Sequence, residues 1–219
     1  MSECCIVVGA GPGIGQACAL AFAREGYEIA LVSRRPERLV AQTTELAWTT
    51  GRQARAYAAD AADAEALRTA LRQAQLELGP ARVLVYNVAD VQRARPSGID
   101  PEQLVREFRA NVAGALVCTQ ALAAEMRVRG GGSLLFTGGG IADHPSTDFA
   151  SLSLGKAALR NLTHTLAQEL GVHGIHVATV TVHGFVQPGT HFDPHLIAQS
   201  FIKLHRQPRG RFDTELVYR

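Results

Sequence analysis

Val8-Gly9-Ala10-Gly11-Pro12-Gly13-Ile14-Gly15 follows a short apolar run, Cys4 to Val8, and opens an alanine-rich amphipathic segment, Gln16 to Arg24. A strand, a glycine turn and a helix in that order form a cradle for phosphate. Glycine permits the tight turn, its missing Cβ admits a pyrophosphate to the main chain, and the helix start offers free N–H groups and partial positive charge. Gly9, Gly11, Gly13, Ile14 and Gly15 are therefore expected to contact a dinucleotide.

Outward from this loop, strand-like and helix-like segments alternate. Strands are predicted near 4–8, 28–32, 54–58, 82–86, 133–137, 175–182 and 214–218, and helices near 14–25, 36–50, 63–78, 101–129, 149–171 and 194–206. Such alternation predicts an α/β fold, a Rossmann-type doubly wound sheet of about seven parallel strands. Helices cover both faces and ligands sit at the C-terminal strand ends. Residues 1–219 are read as a single dinucleotide-binding domain.

Composition narrows the function classes. The 219 residues are 47% hydrophobic and 19% charged, as in a globular chain, and a net charge of +2 gives no reason to expect nucleic acid or an acidic membrane surface as a partner. No run of about 18 apolar residues suggests a membrane span, and the N-terminus enters a strand without the features of a signal peptide. A cytoplasmic location is expected. Cys4, Cys5, Cys18 and Cys118 form no CxxC pair and read as reduced core thiols. No metal is expected: His191, Asp193 and His195 are close in sequence, but Pro194 breaks their helical presentation.

The second strand ends in Ser33-Arg34-Arg35, where a nucleotide-binding sheet meets the adenosine ribose. An acid here would bind the 2′-hydroxyl of NAD; arginine pairs with a 2′-phosphate, so NADP(H) is favoured over NAD(H). The plainer alternative is that Arg34 and Arg35 are solvated charges ahead of Pro36, a good first helical residue. Asp60, after the third strand, is placed to accept from the adenine amino group, while Asp63 is the better helix cap. Asn87-Val88-Ala89 after the fourth strand can pack along the cofactor. Asn111 lies mid-helix and needs either solvent or a specific partner. Lys156 stands out because it and Lys203 are the only lysines among 22 basic residues.

Together these residues resemble the short-chain dehydrogenase/reductase family over nearly the whole chain. Gly9, Gly13 and Gly15 match its nucleotide loop, Asp60 its adenine-contacting acid, and Asn87-Val88-Ala89 its Asn-Ala-Gly motif with Ala89 in place of glycine. Asn111 and Lys156 match its active-site asparagine and lysine. The resemblance implies a sheet with its strands ordered 3-2-1-4-5-6-7, an NAD(P)-dependent oxidoreductase, a Lys156 that holds the nicotinamide ribose, and a homodimer or homotetramer. The helices predicted at 101–129 and 149–171 would form its interface, with Ala113, Gly114, Ala157 and Ala158 permitting close approach.

The family's tyrosine lies four residues before the lysine, where this chain has Leu152, and its serine thirteen residues earlier, where the chain has Gly139. In the family the tyrosine protonates the substrate oxygen, the serine donates to that oxygen, and the lysine lowers the tyrosine pKa. A positioned acid is worth about 10²–10⁴ in rate and an oxyanion donor about 10²–10³; leucine and glycine supply neither. His183, at the end of the sixth strand, and His144, after Gly140, are the first replacement candidates. Ser151 and Ser153 flank the tyrosine position but point about 100° away, and Thr137 lies roughly 6–7 Å back along the strand from Gly139. The short 187–194 stretch suggests an open site. Two functions follow: an NADP(H)-dependent oxidoreductase of a carbonyl or alcohol with a non-standard proton donor, or a non-catalytic NADP(H)-binding sensor or scaffold.

Overall fold

The computed structural model describes residues 2–219. Seven strands, β1 (Cys4–Val8), β2 (Glu28–Ser33), β3 (Ala54–Ala58), β4 (Ala81–Tyr86), β5 (Gly132–Gly139), β6 (Ile175–Val182) and β7 (Glu215–Tyr218), form one sheet ordered β3-β2-β1-β4-β5-β6-β7. Every pairing is parallel. The helices are α1 (Ile14–Arg24), α2 (Val40–Thr50), α3 (Ala64–Leu78), α4 (Pro101–Phe108), α5 (Gly114–Val128), α6 (Ala150–Gly171) and α7 (Pro194–His205).

The two-sided core follows from strand periodicity. Alternate residues of β1 face opposite sides: Cys4, Ile6 and Val8 pack with residues of α3, α5 and α6, while Cys5 and Val7 pack with residues of α1, α2 and α7. All five are buried, as continuous apolar strands between two helical layers must be. The chain moves outward from β1 to β2 and then returns to β4 on β1's other side, so a crevice opens above the β1–β4 junction. The glycine loop lies there.

One predicted helix is corrected. Residues 101–129 are not a single α-helix: Arg109–Ala113 form a π turn between α4 and α5. Asn111 lies within it and bonds at both ends of its amide to the backbone of Asp90, accepting from the N–H at 2.7 Å and donating to the carbonyl at 3.1 Å. The wider turn goes with an inserted side-chain contact of this kind. Residues 36–39 are likewise a 3₁₀ turn ahead of α2. Gly114 is needed within the chain, since a Cβ there would collide with the Tyr86 hydroxyl and the Ala61 carbonyl. It is buried and unavailable to a second copy.

Candidate active site

The nucleotide end is built mainly from backbone. Gly9 has φ +79°, and a Cβ there would lie 2.8 Å from the Asn87 carbonyl carbon. Gly9 and Ala10 donate to the Val32 carbonyl at 3.0 and 3.1 Å, which pins the loop to the end of β2. Helix α1 starts on Gly13 with no side-chain cap and no acid in its first turn, whereas α3, α4 and α7 begin on Asp63, Asp100 and Asp193 caps. The α1 N–H groups and their dipole are thus left for an anion.

A cleft of about 600 Å³ runs from this loop past Ser33, Arg34 and Asp60 to Asn87, Val88 and Ala89. Arg34 is exposed at its edge. Arg38 and Gln42, which the sequence reading missed, also line it. Arg38 lies in the 3₁₀ turn directly after Arg34 and Arg35, and a third arginine so close to that pair is the signal that would have found it. The Ser33 hydroxyl accepts from the Arg35 N–H at 3.1 Å, and an Asp60 carboxylate oxygen accepts from the Ala62 N–H at 2.9 Å. Asp63 caps α3 as expected.

A second pocket, of about 1060 Å³, continues past Pro12, Asn87 and Ala89 to Lys156. The Lys156 ammonium is buried and donates to the carbonyls of Thr137 at 2.7 Å and Val88 at 3.3 Å. Burial pushes its pKa down to about 8. Thr137 donates from its hydroxyl to the Asn87 side-chain carbonyl at 2.9 Å, and the Asn87 amide donates to the Gly9 carbonyl at 3.2 Å. A continuous polar chain thus links α6, β5, β4 and the glycine loop.

Comparison with known proteins agrees with this geometry. The short chain dehydrogenase family model matches residues 3–192. The chain belongs to that family. Over 217 residues it is 30% identical to a mouse (Mus musculus) 3-oxoacyl-[acyl-carrier-protein] reductase, covering 99% of this chain and 87% of that protein. It is 32% identical over 170 residues to the 2,3-dihydro-2,3-dihydroxybenzoate dehydrogenase of Bacillus subtilis, covering 77% of this chain but 64% of that enzyme. Among solved structures, a metagenomic short-chain oxidoreductase in complex with NADP superposes with a TM-score of 0.88 at 24% identity, covering 99% of this chain and 97% of that one.

In this short-chain dehydrogenase, Gly139 and Leu152 both border the second pocket. Gly139 is extended, with φ −162°, and a Cβ there would meet only the Ile141 Cγ2 at 3.7 Å. Its neighbours have no such room: a Cβ would lie 2.6 Å from the Thr179 hydroxyl at Gly138 and 2.7 Å from His183 Nδ1 at Gly140. Leu152 lies one turn before Lys156 on α6.

His183 and His144 border the same pocket, with ring centroids 6.3 Å apart. His183 is tied by its backbone N–H to the Tyr218 carbonyl at 2.9 Å. Its Nε2 is buried and 3.6 Å from an Asp143 carboxylate oxygen, with no hydrogen bond within 3.5 Å. Arg160 bonds Asp143 at 3.2 Å and pairs with Glu215 of β7 at 2.7 Å, so the acid beside His183 is itself held. Asp143 was missed in sequence; its place beside His144, just after the glycine triplet, was the available signal.

Other candidates are placed elsewhere. Ser151 donates to the buried Glu107 carboxylate, and Ser153 donates to the Phe149 carbonyl at 2.9 Å. Asn111 holds the Asp90 backbone. His191 bonds the Arg219 carbonyl, and Asp193 caps α7. Among the described residues there is no group of three or more His, Cys, Asp or Glu side chains placed to hold a metal, and no helix is long and apolar enough to cross a membrane.

Proposed function

We propose that this short-chain dehydrogenase is an NADP(H)-dependent oxidoreductase that interconverts a carbonyl and an alcohol, with His183 as the proton donor. The observation that carries this reading is the placing of His183: its ring borders the pocket that contains Lys156, and its buried Nε2 faces Asp143. When bound, the nicotinamide supplies or accepts hydride. The chain's residues do the rest.

The open start of α1 and Gly9, Gly11, Gly13 and Ile14 would receive the pyrophosphate, while the buried Gly15, which lines neither pocket, lets α1 pack close on the Gly9 carbonyl and Asn87. Ser33 and Arg34, with Arg38, receive the 2′-phosphate, and Asp60 the adenine. Asn87, Val88 and Ala89 pack along the cofactor, and Lys156 reaches the nicotinamide ribose. His183 donates from Nδ1 to the substrate oxygen, and Asp143 steadies the ring on its other side. Asn111 acts through the segment it holds at Asp90. Paired copies would meet through α4 and α6, where Val105, Phe108 and Leu154 are exposed.

The test is NADPH oxidation with a ketone panel, comparing wild type with His183→Gln and His144→Gln. Loss of His183 should lower kcat/KM by about 10²–10⁴, and loss of the exposed His144 should matter little. Equal activity in all three would remove His183 from the role. Saturable NADPH binding without turnover in wild type would favour the second reading, a redox-state sensor. The observation behind that reading is the pocket wall at Gly139 and Leu152, which offers no side-chain hydroxyl.

A further inference from the structure

We infer that the substrate is a neutral, predominantly apolar carbonyl compound whose hydrocarbon arm runs out of the pocket across Phe185. This rests on the oxidoreductase reading for the carbonyl alone; the apolar character comes from the pocket wall. Four separate segments deliver carbon to that wall: Val91 after β4, Ile141 after β5, Phe149 and Leu152 around the start of α6, and Phe185 with Val186 after β6. At about 1060 Å³ the space exceeds what a nicotinamide ring and a small ketone need.

Most of the polar groups in the wall are already engaged. Lys156 is the only Lys, Arg, Asp or Glu among the lining residues, and its ammonium bonds two carbonyls. Asn87 and Thr137 bond each other, and the Ser146 hydroxyl accepts from the Asp148 N–H at 3.3 Å. Besides the two histidines, the Ser146 O–H and the third Lys156 N–H are left to meet a polar atom, and with the lysine turned to the cofactor these suffice for one carbonyl. A polyol would lose water from many hydroxyls without finding replacements, and a carboxylate or phosphate would find no free cation.

The mouth supports the same conclusion. Phe185 is 94% exposed, and Val186 and Val91, at 42% and 45%, share its pocket. Trp48, Leu76 and Val128 are comparably bare, but they sit singly on three different helices, which is ordinary for a surface. The loop bearing Phe185 is braced rather than loose. Gln187 donates to the Phe192 carbonyl at 3.1 Å, Gly189 to Asp193 at 2.7 Å, and Tyr218 to the His191 carbonyl at 2.7 Å. Phe192 packs directly on Gly184. The backbone on either side of Phe185 is thus held, which keeps the exposed ring at the rim of the pocket.

The test is a homologous series of straight-chain methyl ketones, from four to ten carbons, with an aldose and a 2-keto acid as controls. Binding to the NADP⁺-loaded protein is followed by calorimetry and turnover by NADPH oxidation. Affinity should rise about fourfold per methylene until the arm passes Phe185. Phe185→Ser should flatten the series for the longer members while leaving the shortest unchanged. A rising series without turnover supports the apolar pocket and sinks the oxidoreductase reading. A flat wild-type series, or tighter binding of the aldose or keto acid, overturns the inference whatever the turnover shows.

Discussion

The nucleotide end of this molecule and its reaction end are built on different terms. The first is made largely by the absence of side chains: Gly9 has no room for a Cβ against Asn87, and α1 begins without a cap. The second depends on which atoms particular side chains carry. In the triplet Gly138-Gly139-Gly140 the outer two are packed against Thr179 and His183, while the middle one has room for a Cβ in ordinary contact with Ile141. A fold can therefore change the chemistry at Gly139 without disturbing the sheet. The backbone-built site is constrained where a Cβ would collide at Gly9 and where φ is positive at Gly9 and Gly13; a side chain can be added at Gly139 at little cost in packing.

The largest effect should come from adding hydroxyls at that wall. Gly139→Ser with Leu152→Tyr places hydroxyls where the family resemblance puts its serine and tyrosine. Gly139 has an extended backbone that any residue adopts, and a clear Cβ position. Leu152 lies one helical turn from the Lys156 ammonium. The double variant should gain about 10²–10⁴ in kcat/KM for NADPH-dependent ketone reduction, and each single variant much less, because the two groups act on one oxygen. A folded double variant with no gain would break the comparison, since the reaction end would then differ in more than two side chains.

The same contrast explains what was legible in the sequence. The strands and helices, the glycine loop and the Asp63 cap follow from periodicity and local backbone rules, so they could be read directly, while the strand order came with the family resemblance. The π turn at Arg109–Ala113 could not, because it goes with a contact between Asn111 and Asp90, 21 residues apart. Asp143 escaped for the same reason: its meaning depends on His183, forty residues later, arriving on the neighbouring strand. Gly114 was read as a helix-packing residue because sequence alone does not reveal Tyr86 beneath it. Lys156 was found by its rarity, but its partners, two carbonyls from different strand ends, come only with the fold.

A smaller effect is expected at the arginine edge of the cleft. Arg34→Gln should weaken NADPH binding about 10–100-fold, the loss of one hydrogen-bonded charge contact, and leave NADH affinity nearly unchanged. Arg38→Gln should do the same to a lesser degree. Fluorescence titration with both cofactors checks it. Equal losses for NADPH and NADH would mean that the arginines serve the pyrophosphate or the fold in general.

The smallest effect tests the joint between the two ends, since the Lys156 ammonium bonds one carbonyl after β4 and one in β5. Burial holds its folded pKa at about 8, below its ordinary value of 10.5. Between those values the unfolded chain binds more protons than the folded one, so this group makes the protein more stable as pH rises. Below about pH 8 both states are protonated and its contribution is flat. Urea unfolding at pH 7.5, 8.5 and 9.5 should therefore show wild type gaining on Lys156→Met by up to about 1.4 kcal/mol per pH unit above pH 8. A constant gap would mean that the lysine keeps its proton in the fold. The two carbonyls would then hold a permanent cation beneath the reaction pocket, and the nucleotide and reaction ends would be joined by a fixed charge rather than a titrating one.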